Sequence, residues 1–223
     1  ALQNLVAILG LGQIANTISV YQKTMAGLTA VTGSAENAAA EFQWASDTAD
    51  KFSVSLGSIA PNYMQLVAAG NAAGISMDKI HDIFDGVTQA SRVFGLSVED
   101  TEGVYRALTQ IIAKGSLQME ELRGQLGDRL PVAVQAFAKC LGVTTQELFQ
   151  MTKQQEVQGE TLERGLVGFG RTLREMTRGG LTDTLDSIPA AIGRLQTAFL
   201  KFSIYLNEAG LGQAITNILD ALT

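Results

Sequence analysis

Cysteine, histidine and proline are nearly missing from this chain: its 223 residues hold one Cys, one His and three Pro. A lone cysteine excludes an internal disulfide framework and a four-cysteine zinc site. Cys140 stands in the apolar run AFAKCLGV, where a small buried side chain is expected. One histidine builds no metal centre without carboxylate help. His81, between acids in DKIHDIF, reads as a partly exposed helix residue. Charge is sparse and tilted to acid, with a net −6 and a pI of about 4.8. A chain that lives on phosphate contacts is usually basic, so this balance opposes nucleic acid as the main ligand. A basic n-region with a small-residue cleavage site, the mark of a secretory signal, is missing.

Long apolar runs are missing too. Residues 1–22 carry no charge, but Gln3, Asn4, Gln13, Asn16, Thr17 and Ser19 interrupt them. The stretch falls short of the ~20 predominantly apolar residues of a membrane span. It is expected to be a buried or self-associating helix, with membrane insertion as the alternative. The chain begins at Ala1 without Met, and excision from a longer protein is the expected reason.

Reaction chemistry has no foothold either. GLVGFG, Gly165 to Gly170, follows no strand and lacks a P-loop lysine, so it is no phosphate cradle. No zincin pair or nucleophile elbow occurs. The acids Glu120/Glu121 and Asp82/Asp85 sit at helix spacing and read as solvated faces. No catalytic residue, cofactor or metal is expected.

What is abundant is helix. Apolar residues recur at three and four, and few segments read as strands, so an all-α fold is expected. One punctuation mark occurs three times: Gly74-Ile75-Ser76, Gly95-Leu96-Ser97 and Gly142-Val143-Thr144. Glycine closes a helix in the left-handed region, and the hydroxyl residue caps the next helix. The aliphatic between them is placed to staple onto the following turn, and Ser97/Asp100 and Thr144/Glu147 fit capping boxes. Helices are predicted at about 2–31, 35–53, 58–72, 77–94, 98–114, 119–127, 131–141, 145–153, 158–177, 183–208 and 212–222. Pro61 is expected in the first turn of its helix. Gly179-Gly180 is the expected boundary, which divides the chain into an N-terminal apolar helix (1–32), a compact module (33–179) and C-terminal helices (180–223).

Two seams step alternately by three and four. The first is Leu11, Ile14, Ile18, Tyr21, Met25 and Leu28; the second is Leu185, Ile188, Ile192, Leu195, Phe199, Phe202 and Leu206. Such spacing averages 3.5 residues and keeps one stripe on a partner helix. The two seams either clasp each other or pair with copies of the chain, and an ordinary amphipathic core helix gives the same steps. Pro189 lies in the second seam, so it either opens a helix or kinks one.

The most distinctive stretch is KGSLQMEELRGQLGDRLP, Lys114 to Pro131. In it Leu122, Leu126 and Leu130 form an apolar stripe, and Gly124 and Gly127 are spaced for a close helix contact. Arg123 and Arg129 stand near Glu120 and Asp128 for local ion pairs. Pro131 starts the next helix. The expected role of Glu120, Glu121, Leu122, Arg123, Gly124, Gln125, Leu126, Gly127, Arg129, Leu130 and Pro131 is a packing nucleus, with an arginine on helix-end carbonyls, and a partner-binding surface is the alternative.

From about Gly33 to Gly179 the chain resembles the helical domain of tape-measure proteins of long-tailed phages and prophages. The resemblance rests on GSAENAAAEF, GISMDKIHDIFDGVTQASRVFGLS, VYRALTQIIAKGS, EELRGQLGDRLP and GVTTQEL. Gln118 departs from it, since the family commonly has a hydroxyl residue there, and Gln caps poorly. The resemblance implies a non-enzymatic part that fills the tail-tube lumen, sets tail length in assembly and leaves ahead of the DNA at infection. It implies as partners the tail tube protein, tail assembly chaperones, tail tip proteins and further copies of the chain. It places the protein in the virion tail lumen, in the host cytoplasm during assembly and at the host envelope during infection. Two alternatives stand beside it. One is a membrane-active role of residues 1–22 and 209–222 in genome delivery. The other is a DNA-binding helix–turn–helix at Ala138 to Thr144, with Thr145, Gln146, Gln150 and Lys153 turned outward; Glu147 and the acidic total oppose it, and no specific nucleic acid is expected as a partner.

Overall fold

The computed structural model describes residues 11–212 together with 214 and 217. Among them the chain is all-α, with ten helices and one isolated antiparallel bridge, Ser116 to Gln158. The helices are α1 (Leu11–Thr32), α2 (Ala35–Phe52), α3 (Leu56–Ala72), α4 (Met77–Val93), α5 (Val98–Lys114), the π-helical α6 (Glu120–Gly127), α7 (Ala133–Leu141), α8 (Thr145–Lys153), α9 (Gly159–Leu185) and α10 (Ile188–Glu208). The outer parts of the helices predicted at 2–31 and 212–222 lie outside the described residues.

The three punctuation marks work through the backbone. Gly74, Gly95 and Gly142 have φ of +73°, +63° and +71°. The aliphatic that follows donates its N–H five residues back: Ile75 to Gly70, Leu96 to Ser91, and Val143 to Ala138, at 2.8–3.0 Å. Ser97 then accepts from the Asp100 N–H at 3.0 Å. Thr144 and Glu147 make the complete reciprocal box. At the first mark Ser76 takes the extended cap conformation without a side-chain cap bond. Two further corners use the same bond to the carbonyl five residues back, with a non-glycine in the left-handed place, Ser53 (φ 52°) and Gln155 (φ 57°).

Contacts divide the chain into two units, residues 1–61 with 188–223 and residues 62–187, the first division falling at Pro61 inside α3. In the first unit α1 packs on α2 and α10, and α10 also packs on α2. Ile14 and Ile18 are buried with Phe199 and Leu206 packed against them, so the two predicted seams meet here. The buried stripe of α10 is a different one: Ala190, Gly193, Thr197, Leu200 and Ser203. Small residues are needed because the helix lies on the α2–α3 corner, where a Cβ at Gly193 would stand 2.3 Å from the Ser53 carbonyl oxygen. Thr197 donates to the Val54 carbonyl at 2.9 Å and accepts from the Leu56 N–H at 3.0 Å.

In the second unit α9 packs along α4 and α7. The crossing with α4 is glycine on glycine, since a Cβ at Gly86 would meet the Gly170 carbonyl oxygen at 2.2 Å. Gly165 faces the Phe137 ring and Gly168 faces the Cys140 sulfur, so the glycines of GLVGFG are sites of close approach. Tyr63 meets Phe84 edge-on with centroids 4.9 Å apart, and Phe84 stacks on Tyr105 at 4.8 Å. The Tyr105 hydroxyl donates to the Phe84 carbonyl at 3.1 Å and lies 2.6 Å from the Thr88 hydroxyl.

Several expectations differ from what is seen. α9 runs unbroken through Gly179 and Gly180 to Leu185, so the expected boundary there falls inside a helix. A helical glycine costs about 1 kcal/mol against Ala, a small term beside packing of the helix face, and Gly180 lies under the Val93 side chain. The break comes instead before α10, with Pro189 in its first turn, so it opens that helix without kinking it. Pro61 lies in the second turn of α3, because that helix begins at Leu56. Cys140 is half-buried, and its thiol donates to Thr172 Oγ1 at 3.3 Å. His81, by contrast, is partly exposed on α4 as expected, with Nε2 2.8 Å from the Tyr63 hydroxyl.

Candidate functional site

The Lys114–Pro131 stretch has an inner and an outer side. Leu117 is buried, and its N–H is tied to the Val157 carbonyl at 2.9 Å. The helix opens without a side-chain cap, and the Leu122 N–H bonds to the Gln118 carbonyl. It then winds as a π-helix, with the Asp128 N–H on the Arg123 carbonyl, five residues back. Leu122, Leu126 and Leu130 are fully buried.

Glu121 is fully buried as well, which corrects its reading as part of a solvated face. At the α-helical turn of about 100° per residue, Glu121 stands well off the leucine stripe. The wider winding turns each residue through a smaller angle and swings Glu121 round to the leucines. One carboxylate oxygen takes a short charge-assisted bond from Lys114 at the end of α5, and Oε2 is buried without a hydrogen-bond partner. That bond raises the Lys114 pKa above its ordinary value. Asp82, also read as solvated, accepts from Arg174 Nη2 at 2.5 Å.

Arg129 donates from Nη1 to the Gln125 carbonyl at 3.1 Å, and its Nε lies 3.9 Å from Asp100 of α5. Gly103 leaves room for it, because a Cβ there would stand 2.2 Å from Nε. Its acid is therefore on a neighbouring helix and not the adjacent Asp128. Of the two motif glycines, Gly127 is the close one, with Leu122 O and Val134 within 3.1 Å of an added Cβ. Gly124 faces open space, so the expected glycine-pair contact does not form there. Pro131 is exposed and precedes α7 by two residues, where it was expected to start that helix.

The outer side holds Glu120 and Arg123. The Arg123 guanidinium lies 5.2 Å from the centre of the Phe149 ring, on α8. Met119, Arg123, Gln146, Phe149, Gln150 and Lys153 line a shallow groove of about 360 Å³.

The seam residues part company. Ile14, Ile18 and Leu28 are buried, Tyr21 and Met25 half-buried, and the Leu11 side chain lies outside the described set. Leu185 ends α9 half-buried, and Phe199 and Leu206 turn toward α1. The rest of the second seam faces outward: Ile188 is 77 % exposed, Leu195 71 %, Phe202 52 % and Ile192 50 %, with Tyr205 beside them at 66 %. Ile188, Leu195 and Phe202 repeat at seven, so they form one stripe along the helix. Arg194 and Lys201, the cations nearest to it, bond to Ser53 Oγ and Asp50. Sequence reasoning missed the small-residue stripe opposite; the alternation Ala190, Gly193, Thr197, Leu200 was its available signal.

No helix among the described residues is long and apolar enough to cross a membrane, and no group of His, Cys, Asp or Glu among them could hold a metal ion. The outward side of α8 carries Glu147, which caps the helix, beside Gln146, Gln150 and Lys153. Glycine crossings, a motif with its leucines buried and an exposed apolar helix face are what the described helices present. The family model described as "Tape measure protein" matches residues 12–208, and the chain belongs to that family, whose role is structural, in the phage tail. The chain is 41 % identical over 86 residues to the "Probable tape measure protein" of Salmonella phage Felix O1 (isolate Felix O1-VT1). That match covers 39 % of this chain and 12 % of the relative, so the chain spans a small part of the relative's length. No solved structure matches the chain.

Proposed function

We propose that this chain is the folded helical module of a tape-measure protein that occupies the tail-tube lumen, takes part in setting tail length and leaves ahead of the DNA at infection. The observation that carries the reading is the family match over residues 12–208. Helix advances by about 1.5 Å per residue, so the length of a helical protein can encode a distance. The tight corners of residues 62–187, and the helices folded back on α9 there, suit a packed head better than a shaft. Its partners in this reading are the tail tube protein, tail assembly chaperones, tail tip proteins and further copies of itself.

Copies meet through the exposed face of α10, Ile188, Ile192, Leu195, Phe202 and Tyr205. A contiguous apolar stripe of this kind marks an interaction surface, and the bonded Arg194 and Lys201 put no free like charge beside it. Sedimentation of the chain across concentrations tests this. The unsubstituted chain is expected to associate, and Leu195→Glu with Phe202→Glu to stay monomeric. A monomer at high concentration rules the face out. For the tail role, the test is in the phage. Removing residues 62–187 from the full-length protein is expected to stop tail assembly, and equal-sized deletions elsewhere to shorten tails by about 1.5 Å per residue removed. Tails shortened only in proportion after loss of the module would refute its role as a head.

A further inference from the structure

We infer that the groove between α6 and α8 is a docking site for a segment of another protein that carries a large apolar side chain flanked by carboxylates. The site is separate from the exposed face of α10 and does not depend on self-association.

Packing uses only part of the motif. Leu122, Leu126, Leu130 and Glu121 point inward, and Arg129, just past α6, bonds back to the Gln125 carbonyl and lies toward α5. Arg123 is exposed and lies against Phe149. Met119 and Phe149, both half-buried, form an apolar floor, and the exposed Gln146, Gln150, Arg123 and Lys153 form the rim. Both charged lining residues are cations, and among the described residues no carboxylate lines the groove. The nearest acid on α8, Glu147, is held at the helix start, accepting from the Thr144 N–H at 2.7 Å. A cationic rim in a chain of net −6 opposes the overall balance, so complementarity points to an anionic partner. The volume, about 360 Å³, fits one large side chain with its neighbours and not a broad domain interface. Methionine and phenylalanine supply an adaptable apolar surface, the guanidinium and the ammonium select carboxylates, and the two glutamines offer amides to a peptide backbone. Two cations are few for duplex DNA, whose affinity grows with each phosphate neutralised.

The test is nuclear magnetic resonance titration of the full chain with a synthetic peptide, Phe centred among four Glu. Matched peptides carry Gln for every Glu, or Ala for Phe, and a twelve-base-pair duplex is titrated in parallel. Shifts confined to Met119, Arg123, Gln146, Phe149, Gln150 and Lys153 are expected with the acidic Phe peptide. Binding is expected to weaken by about tenfold in Arg123→Gln/Lys153→Gln and to fall with added salt. All substituted side chains are exposed, and circular dichroism verifies the fold. Equal binding of the Gln peptide or of the Ala peptide overturns the proposal, as does unchanged affinity in the double variant. Absence of shifts in the groove at millimolar peptide overturns it as well. Duplex binding at the same residues, stronger than the peptide's, replaces it with a nucleic-acid site.

Discussion

A methyl group at Gly170 would stand 1.8 Å from the carbonyl oxygen of Asp82, and no side chain can yield to make room because the obstacle is backbone. Gly170→Ala is therefore expected to destabilise the 62–187 unit by about 1–3 kcal/mol, the usual cost of overpacking, read from the urea midpoint. Gly179→Ala, which meets nothing within 4 Å, is the control and is expected to be neutral or slightly stabilising. Tyr105 gives the second residue-scale prediction. Burial pushes its phenol well above the ordinary 10, the Thr88 hydrogen bond working the other way. A folded-state value above the unfolded one means stability is whole below pH 10 and is lost as pH rises beyond it. Tyr105→Phe is expected to cost about 1 kcal/mol at neutral pH, through the lost hydrogen bond, and to flatten the alkaline loss. An equally steep alkaline loss in the variant would show that another group is responsible.

Among the elements, α6 depends most on one pair. Glu121 is fully buried and Lys114 half-exposed, so the pair's cost lies in the carboxylate. Removing the cation alone strands a buried charge; removing both leaves an apolar contact. Lys114→Met is expected to be the more destabilising of two variants, and Glu121→Met with Lys114→Met to recover most of the loss. A double variant no better than Lys114→Met would mean that the pair's geometry, and not charge burial, sets the stability of α6. The element was visible in the sequence as a helix at 119–127, and its leucines as a stripe. Its winding was not visible, because a 3.6-residue template has no place for Glu121 inside. The corners were legible where glycine takes the left-handed position, and the complete box at Thr144 and Glu147 shows why. Ser53 and Gln155 do the same work without a glycine to announce it.

For the whole molecule, the decisive helix is α10. It bears two stripes with steps of three and four, one of large apolar residues and one of small or hydroxyl residues with Leu200. Hydrophobicity alone selects the large stripe as the buried one. The structure buries the small one, because the Ser53 carbonyl and Val54 approach the helix axis too closely for a large side chain. Leu195→Glu with Phe202→Glu is thus expected to leave thermal stability of the isolated chain nearly unchanged while abolishing association, since both residues are exposed. A large fall in melting temperature would place them in a core instead.

The sequence by itself determined the helical class, the position of nearly every corner and the family. Those depend on local chemistry: the period of apolar residues, left-handed glycines, hydroxyl caps and a run of distinctive residues. Tertiary structure alone decided which stripe of α10 turns inward, that GLVGFG serves close helix packing, that α9 continues through Gly179-Gly180, and that Glu121 is buried. Each of these depends on how near another backbone comes, and one chain's residue spacing carries no record of that distance.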